Sequence, residues 1–146
     1  MYEIKEARIQ LREGLPLYSS KAIKGSKDVA KLLMSEMAKL DRENIWALNL
    51  DNKLKVINYT VVAIGSIDSA PYRNADVFKA AILSNAKGII LAHNHPSGDP
   101  EPSKYDFEVT ESLIASGKLL GIQVLDHLVI GNKKYYSFNE EHPEMF

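Results

Sequence analysis

The spacing of apolar residues changes from helical to strand-like within the first half of the chain. Behind Ser26, a residue type that often caps helices, apolar side chains recur three or four positions apart: Val29, Leu32, Leu33, Met37 and Leu40. This spacing predicts a first helix. Residues 45–50 and 54–64 are strand-like, and Asp51-Asn52 between them suits a hairpin turn.

The middle of the chain predicts a second helix followed by a buried strand. The helix is expected to be capped at Asn74 and to stop at Gly88, with an apolar face made of Val77, Phe78, Ala81 and Ile82. The continuous apolar run at residues 89–92 indicates a short strand that is buried on both faces. Prolines and Gly98 then force residues 93–102 into a loop.

The last third predicts one helix and two strands. The helix begins at Ser103 and runs to about Gly117, and the strands span residues 122–130 and 135–138 around a turn at Gly131-Asn132. Helices that alternate with strands indicate an α/β domain with a mixed sheet flanked by helices. We assign this domain to residues 26–140.

The two ends of the chain show no clear period. Residues 1–25 include Gly14, Pro16 and Gly25, and they are predicted to form an extended arm or a short strand. Residues 139–146 are predicted to form a loose tail, so that positions 141–146 lie outside the domain.

Composition narrows the function classes. The 146 residues include 18 basic and 19 acidic side chains, a net charge of −1, so any binding to DNA is expected to be weak and sensitive to salt. No stretch is long and apolar enough to cross a bilayer, the N-terminus lacks the apolar core of a signal peptide, and a cytoplasmic location is expected. The chain has no cysteine, so a metal would have to be held by histidines and carboxylates.

One segment carries the elements of a metal site. His93 and His95 are two positions apart at the end of the buried strand, so on an extended backbone both rings point to one side. Asp106 follows His95 after ten intervening residues, in the first turn of a helix, and a loop that folds back would bring its carboxylate beside the rings. Two imidazoles and one carboxylate leave a fourth tetrahedral position open for water, the arrangement of a catalytic zinc site. Such a site also needs a nearby carboxylate that accepts the proton of the water.

The spaced set His93-x-His95, seven residues, and Ser103-x-x-Asp106 resembles the metal signature of the JAMM (JAB/MPN) metalloproteases. The segments His93-Asn94-His95-Pro96-Ser97-Gly98-Asp99-Pro100 and Leu125-Asp126-His127, together with residues 81–86, are similar to the bacterial RadC branch. The resemblance covers roughly residues 20–140. It implies a JAMM/MPN-like fold of the cytidine-deaminase type, with zinc bound by His93, His95 and Asp106.

The same resemblance implies two catalytic residues. Glu43, just before the first core strand, matches the family's catalytic glutamate, with Glu36 and Glu101 as alternatives. Ser103 matches the serine that helps to stabilise the oxyanion, although Ser103-x-x-Asp106 is also a capping box that needs no function. The pair Asp126-His127 either orients a ligand or is a structural pair.

Two departures from the branch concern the rest of the molecule. Many RadC proteins have a Pro-Arg-Glu triplet before the helix that precedes the metal motif, and this chain has Asn74-Ala75-Asp76 there, after Arg73. It also lacks the length for an N-terminal helix-hairpin-helix segment, which suggests a stand-alone catalytic domain.

Three functions are compatible with these residues. The first is a zinc-dependent hydrolase that cleaves a peptide or isopeptide-like amide bond in a peptide or protein substrate. The alternatives are a DNA-repair accessory protein with a mainly structural metal, and an interaction module that kept the metal without turnover.

Overall fold

The computed structural model describes residues 1–14, 25–65 and 72–146. Residues 1–14 are exposed and form neither helix nor strand; residues 15–24 of the predicted arm lie outside the described residues. The helices and strands of the described residues are, in chain order, α1 (Ser26–Met37), β1 (Asn44–Leu50), β2 (Val56–Ile64), α2 (Asn74–Leu83), β3 (Gly88–Asn94), α3 (Lys104–Leu120), β4 (Gln123–Ile130), β5 (Tyr135–Ser137), α4 (Phe138–Glu141) and a 3-10 turn (Pro143–Met145).

The five strands form one mixed sheet in the order β2-β1-β3-β4-β5. Strand β1 is antiparallel to both β2 and β3, β3 is parallel to β4, and β4 is antiparallel to β5. The α/β class with a mixed sheet is confirmed. Every residue of the central strand β3 is buried, as its continuous apolar run predicted.

Helices cover both faces of this sheet. On one face, Val77 and Phe78 of α2 and Leu113 of α3 pack with Ile89 and Leu91 of β3. On the other face, α1 packs through Val29, Leu33 and Met37 against alternate residues of the same strands, including Trp46, Leu48, Ile90 and Ala92. Because side chains alternate along a strand, the odd-numbered residues of β3 face α2 and α3.

Strand β4 contains a β-bulge that changes this alternation. In the pairing with β3, Ile89 lies opposite Val124 and Ile90 lies opposite Asp126, so Leu125 is an extra residue. Val124 packs on the α3 face, while Leu128 and Ile130 pack on the α1 face. The side chain of Leu125 lies over Gly88, where a Cβ would come within 2.9 Å of it, so the glycine leaves room for the bulge.

Two predicted helix starts are wrong by one residue. Ser26 is the first residue of α1 rather than its cap; Gly25 holds the cap position without a side-chain bond. The cap of α2 is Arg73 rather than Asn74, because the backbone N–H of Arg73 donates to Oδ2 of Asp76 at 2.9 Å.

The end of α2 and the tail also differ from expectation. Helix α2 stops at Leu83 rather than at Gly88. Ile82, which was predicted to pack, is 54% exposed, because the buried face of the helix ends at Ala81. The predicted loose tail instead forms α4 and the 3-10 turn, and Met145 and Phe146 pack against the α2–α3 side of the core. Among the described residues, no helix has the length and apolarity to span a membrane.

Candidate metal centre

Strand β3 and its first loop residue place the two histidines on the α3 side of the sheet. His93 shares this face with Leu91 and is 2% exposed. His95 follows the strand, and its backbone N–H donates to the carbonyl of Ile130 at 2.9 Å, so it stays beside the end of β4. The Nε2 atoms of the two rings are 3.1 Å apart, which confirms that both rings point to one side.

The loop after β3 turns back and delivers Asp106. Gly98 has a φ of +86°, and its carbonyl accepts from the N–H of Asn132 at 2.7 Å, which fixes the loop to the β4–β5 turn. Asp106 then lies in the first turn of α3, with Oδ1 3.4 Å from His93 Nε2 and Oδ2 3.5 Å from His95 Nε2. One ligand atom from each of the three residues lies within 4.8 Å of the others.

These residues open onto a cavity of about 730 Å³, which Glu43 and Ser103 also line. Glu43 directly precedes β1 and is half-buried. Glu36 lies exposed on α1, which packs on the opposite face of the sheet, and Glu101 is exposed in the loop; neither lines this cavity. The remaining wall is mostly apolar and includes Ile45, Tyr72, Leu91, Tyr105 and Val109.

Ser103 caps α3 while it lines the cavity. Its Oγ accepts from the N–H of Asp106 at 3.2 Å, and its own N–H donates to Asp106 Oδ2 at 2.8 Å, which completes a capping box. The interpretation of Ser103-x-x-Asp106 as a helix capping box is therefore confirmed. The cap also orients the carboxylate, because one bond of the capping box ends on a proposed ligand oxygen.

The model of the family described as RadC-like JAB domain matches residues 23–143 of this chain. The chain belongs to the RadC-like JAB domain family.

Curated relatives agree with this assignment. A UPF0758 protein of Chloroflexus aurantiacus is 46% identical over 134 residues, which is 92% of this chain and 56% of the relative. A UPF0758 protein of Moorella thermoacetica is 47% identical over 122 residues (84% and 53%), and one of Methanosarcina mazei is 42% identical over 119 (82% and 52%). The chain thus spans about half the length of the curated relatives it matches, and their names state no activity.

In this RadC-like JAB domain, a buried chain of hydrogen bonds sets the proton positions on His93. The hydroxyl of Thr110 donates to the carbonyl of Asp106 at 2.7 Å, so its oxygen must accept from His127 Nδ1, also at 2.7 Å. His127 Nε2 then carries a lone pair and accepts from His93 Nδ1 at 2.7 Å. Consequently His93 Nε2 is a lone pair directed toward His95 and Asp106.

The donor set fits a metal ion. His95 Nδ1 donates to the carbonyl of Asp99 at 2.8 Å, which leaves a lone pair on His95 Nε2 as well. Two lone pairs 3.1 Å apart repel each other unless a proton or a cation lies with them. Two imidazole nitrogens and a carboxylate form a ligand set suited to zinc, so His93, His95 and Asp106 are the residues that would hold it.

The pKa shifts show how the site is charged. Burial alone would raise the pKa of Asp106, but the two histidine rings beside it outweigh burial and hold that pKa well below its ordinary value. The neighbouring Asp106 carboxylate raises the pKa of His95. Complete burial lowers the pKa of His127 far below its ordinary value, so this ring is neutral, as the hydrogen-bond chain requires.

The sequence left the pair Asp126-His127 undecided, and the structure separates its members. His127 faces α3 and bonds to His93, whereas Asp126 bonds to Ser137, Asn139 and Ser26 on the α1 side. Thr110 and Tyr72 were missed. A single threonine within a helix and a single tyrosine before one give no sequence signal. Burial raises the pKa of Tyr72.

The departure at residues 74–76 lies beside the cavity rather than in it. The amide of Asn74 donates to the hydroxyls of Ser112 and Ser116 at 2.8 and 2.9 Å, which ties α2 to α3. Asp76 pairs with Arg73 and Lys79 on the helix surface. None of the residues 73–76 lines the cavity.

Proposed function

We propose that this chain is a zinc-dependent hydrolase of the JAMM type that cleaves a peptide or isopeptide-like amide bond with metal-activated water. The observation that carries the proposal is the convergence of His93, His95 and Asp106 within 4.8 Å on a cavity that Glu43 also lines. Zinc held there supplies a Lewis acid and a water of lowered pKa. The family assignment agrees with such a site.

Glu43 has the role of general base in this proposal. Its carboxylate accepts a proton as water attacks the amide carbon and returns it to the departing amine. Half-burial suits this task, because the side chain reaches the cavity while the segment around it is held by the sheet.

Ser103 has the role of an oxyanion donor. In the capping box its oxygen accepts a bond, so the hydroxyl proton remains to be donated toward the cavity. A donor aimed at charge that develops in the transition state stabilises it by several kcal/mol.

The first test measures metal. We expect about one zinc per chain in the purified protein, and the loss of stoichiometric zinc in His95→Ala and in Asp106→Ala. Glu43→Gln should keep the metal, because Glu43 is not a ligand. Elemental analysis of the four proteins decides this, and full zinc occupancy in Asp106→Ala would remove Asp106 from the site.

The second test measures turnover on a substrate found with a peptide library or tagged lysate. Glu43→Gln should abolish cleavage with fold and zinc intact, since glutamine keeps the shape but cannot take the proton. Wild-type turnover in Glu43→Gln would show that the general base is wrongly assigned. Nanomolar binding of duplex DNA at physiological salt would instead favour the accessory-protein function.

A further inference from the structure

Asn94 continues the link between β1 and β3 beyond the last backbone pair. The paired residues of these strands end at Ile45 and His93. One step further, the side chain of Asn94, which is 1% exposed, bonds to β1 in place of the backbone. Its Oδ1 accepts from the N–H of Asn44 at 2.7 Å, and its Nδ2 donates to the carbonyl of Arg42 at 2.9 Å.

These two backbone groups belong to the peptide units on either side of Glu43. The carbonyl of Arg42 precedes Glu43 and the N–H of Asn44 follows it, so one planar amide holds both. The carbonyl of Glu43 itself accepts from the N–H of Gly65 at 2.8 Å, beyond the end of β2. The backbone of Glu43 is therefore fixed from both neighbouring strands, while its side chain lines the cavity.

We propose that Asn94 is a positioning residue that sets the distance between Glu43 and the ligand pair His93–His95. This inference rests on the proposed function, because it concerns the placement of the general base. Asn94 stands between the two histidines in the chain, so a single short segment holds the ligands and fixes the base. A displacement of about 1 Å in such a group costs on the order of 100-fold in rate.

Only asparagine has the required donor and acceptor on a side chain of this length. Alanine removes both bonds, and serine reaches at most one of the two peptide units. Either change should free this segment from β3, although the bond from Gly65 to Glu43 and the bond from Asn44 Nδ2 to the Arg42 carbonyl at 3.0 Å remain. His93 and His95 should stay in place, because neither ring bonds to Asn94.

The test uses the full chain loaded with Co²⁺, whose visible absorption follows the ionisation of a metal-bound water and needs no substrate. Glu43→Gln removes a negative charge that disfavours hydroxide, so the midpoint of this titration should fall. Asn94→Ala should lower the midpoint in the same direction with full metal content. The double variant should shift no further than Glu43→Gln alone, because both changes act through the same carboxylate.

The matched control is Asn49→Ala. Asn49 is a fully buried asparagine on β1 whose amide donates to Asn58 at 2.7 Å, away from the cavity. Its loss should lower stability and leave the midpoint unchanged. If Asn94→Ala does not fold, Asn94→Ser is measured in the same way.

The outcomes separate this inference from the proposed function. A shift in Glu43→Gln without one in the Asn94 variants, or an additive shift in the double variant, overturns the role of Asn94 and leaves Glu43 as the base. Loss of cobalt from the Asn94 variants also overturns it, since the residue would then act on the ligands. No shift in Glu43→Gln overturns both.

Discussion

Asp126 and His127 are neighbours on β4 that are both buried and polar, yet they belong to two different networks. On the α1 face, the Asp126 carboxylate accepts from the Ser137 hydroxyl at 2.6 Å and from the N–H groups of His127 and Asn139 at 2.7 and 3.0 Å. Each hydrogen bond of this closed network ends on another protein group and Asp126 is fully buried, although Asp126 and Asn139 line a second cavity of about 510 Å³. Its members fix the end of β5 and the start of α4 against β4.

On the α3 face, the network of His127 is open at one end. It starts at the Asp106 carbonyl, passes through Thr110 and His127, and ends at His93 Nε2, which faces the cavity. Burial and a shifted pKa are common to both networks. The two networks therefore differ in where they end. The lone pair of His93 Nε2 faces the cavity, whereas the hydrogen bonds of Asp126 end on other protein groups.

The largest effect is expected for Asp126→Ala, in the network on the α1 face. The change leaves a buried hydroxyl and two backbone N–H groups without an acceptor, so the free energy of unfolding should fall by about 3 kcal/mol or more. Zinc stoichiometry should be unchanged at a temperature at which the variant is folded. Urea unfolding together with metal analysis tests this. Loss of zinc from the folded variant would show that the Asp126 network also supports the metal ligands.

Thr110→Val opens the other network at its start. Valine keeps the shape but cannot accept from His127 Nδ1, so the free energy of unfolding should fall by about 1–3 kcal/mol. Zinc affinity should fall about 10- to 100-fold, because His127 no longer holds the His93 tautomer. Competition with a zinc chelator measures this. Thr110→Ser, which keeps the hydroxyl, is the control and should retain the wild-type affinity.

Ser103→Ala tests the cap that holds Asp106. The lost bond to the Asp106 N–H should cost about 1 kcal/mol of stability. Turnover on a substrate should fall roughly ten- to a thousandfold through the lost oxyanion donor. Both quantities are measured well below the melting temperature. Ser103→Asp retains a cap acceptor without the hydroxyl, so recovery of stability without recovery of turnover would separate the two roles.

The smallest effect is expected in the pH dependence of stability, through the carboxyl group of Asp126. Burial raises the pKa of Asp126 above its ordinary value of 3.8, although its hydrogen bonds partly oppose the shift. The folded state thus holds this proton more tightly than the unfolded chain. The protonated Asp126 carboxyl therefore stabilises the folded state below pH 3.8, and this stabilisation is lost as pH rises through the raised pKa. The free energy of unfolding, measured for wild type and for Asp126→Asn across this pH range, should fall with rising pH only in wild type. A wild-type protein that gained stability relative to Asp126→Asn as pH rises would contradict this.

The sequence was sufficient for the parts of the site that are local in the chain. His93, His95 and Asp106 lie within one strand end, one loop and one helix turn, so their spacing predicted their proximity. Glu43 lies fifty residues earlier, and only the family resemblance pointed to it. Its place at the cavity depends on the β1–β3 register, which no local pattern contains.

Other features depended on tertiary contacts. The tail lacks any period, yet Met145 and Phe146 become ordered because the core offers them an apolar surface. Gly25 and Arg73 cap helices without the usual side chains, so local propensity indicated the next residue instead. The hairpin between β1 and β2 was easier, since Asp51 directs its turn by accepting from the N–H groups of Lys53 and Lys55.

The bulge at Leu125 makes the pairing of β4, rather than residue identity alone, the condition for this site. If β4 kept all its residues but paired with β3 without a bulge, Leu125 would lie opposite Ile90 and every later side chain of the strand would change face. A carboxylate would then stand beside Thr110 and His93, and an imidazole would meet Ser137 instead. Among related chains, deletion of residue 125 would remove the bulge and keep both networks, whereas a pairing that absorbed this residue into the regular ladder would exchange them.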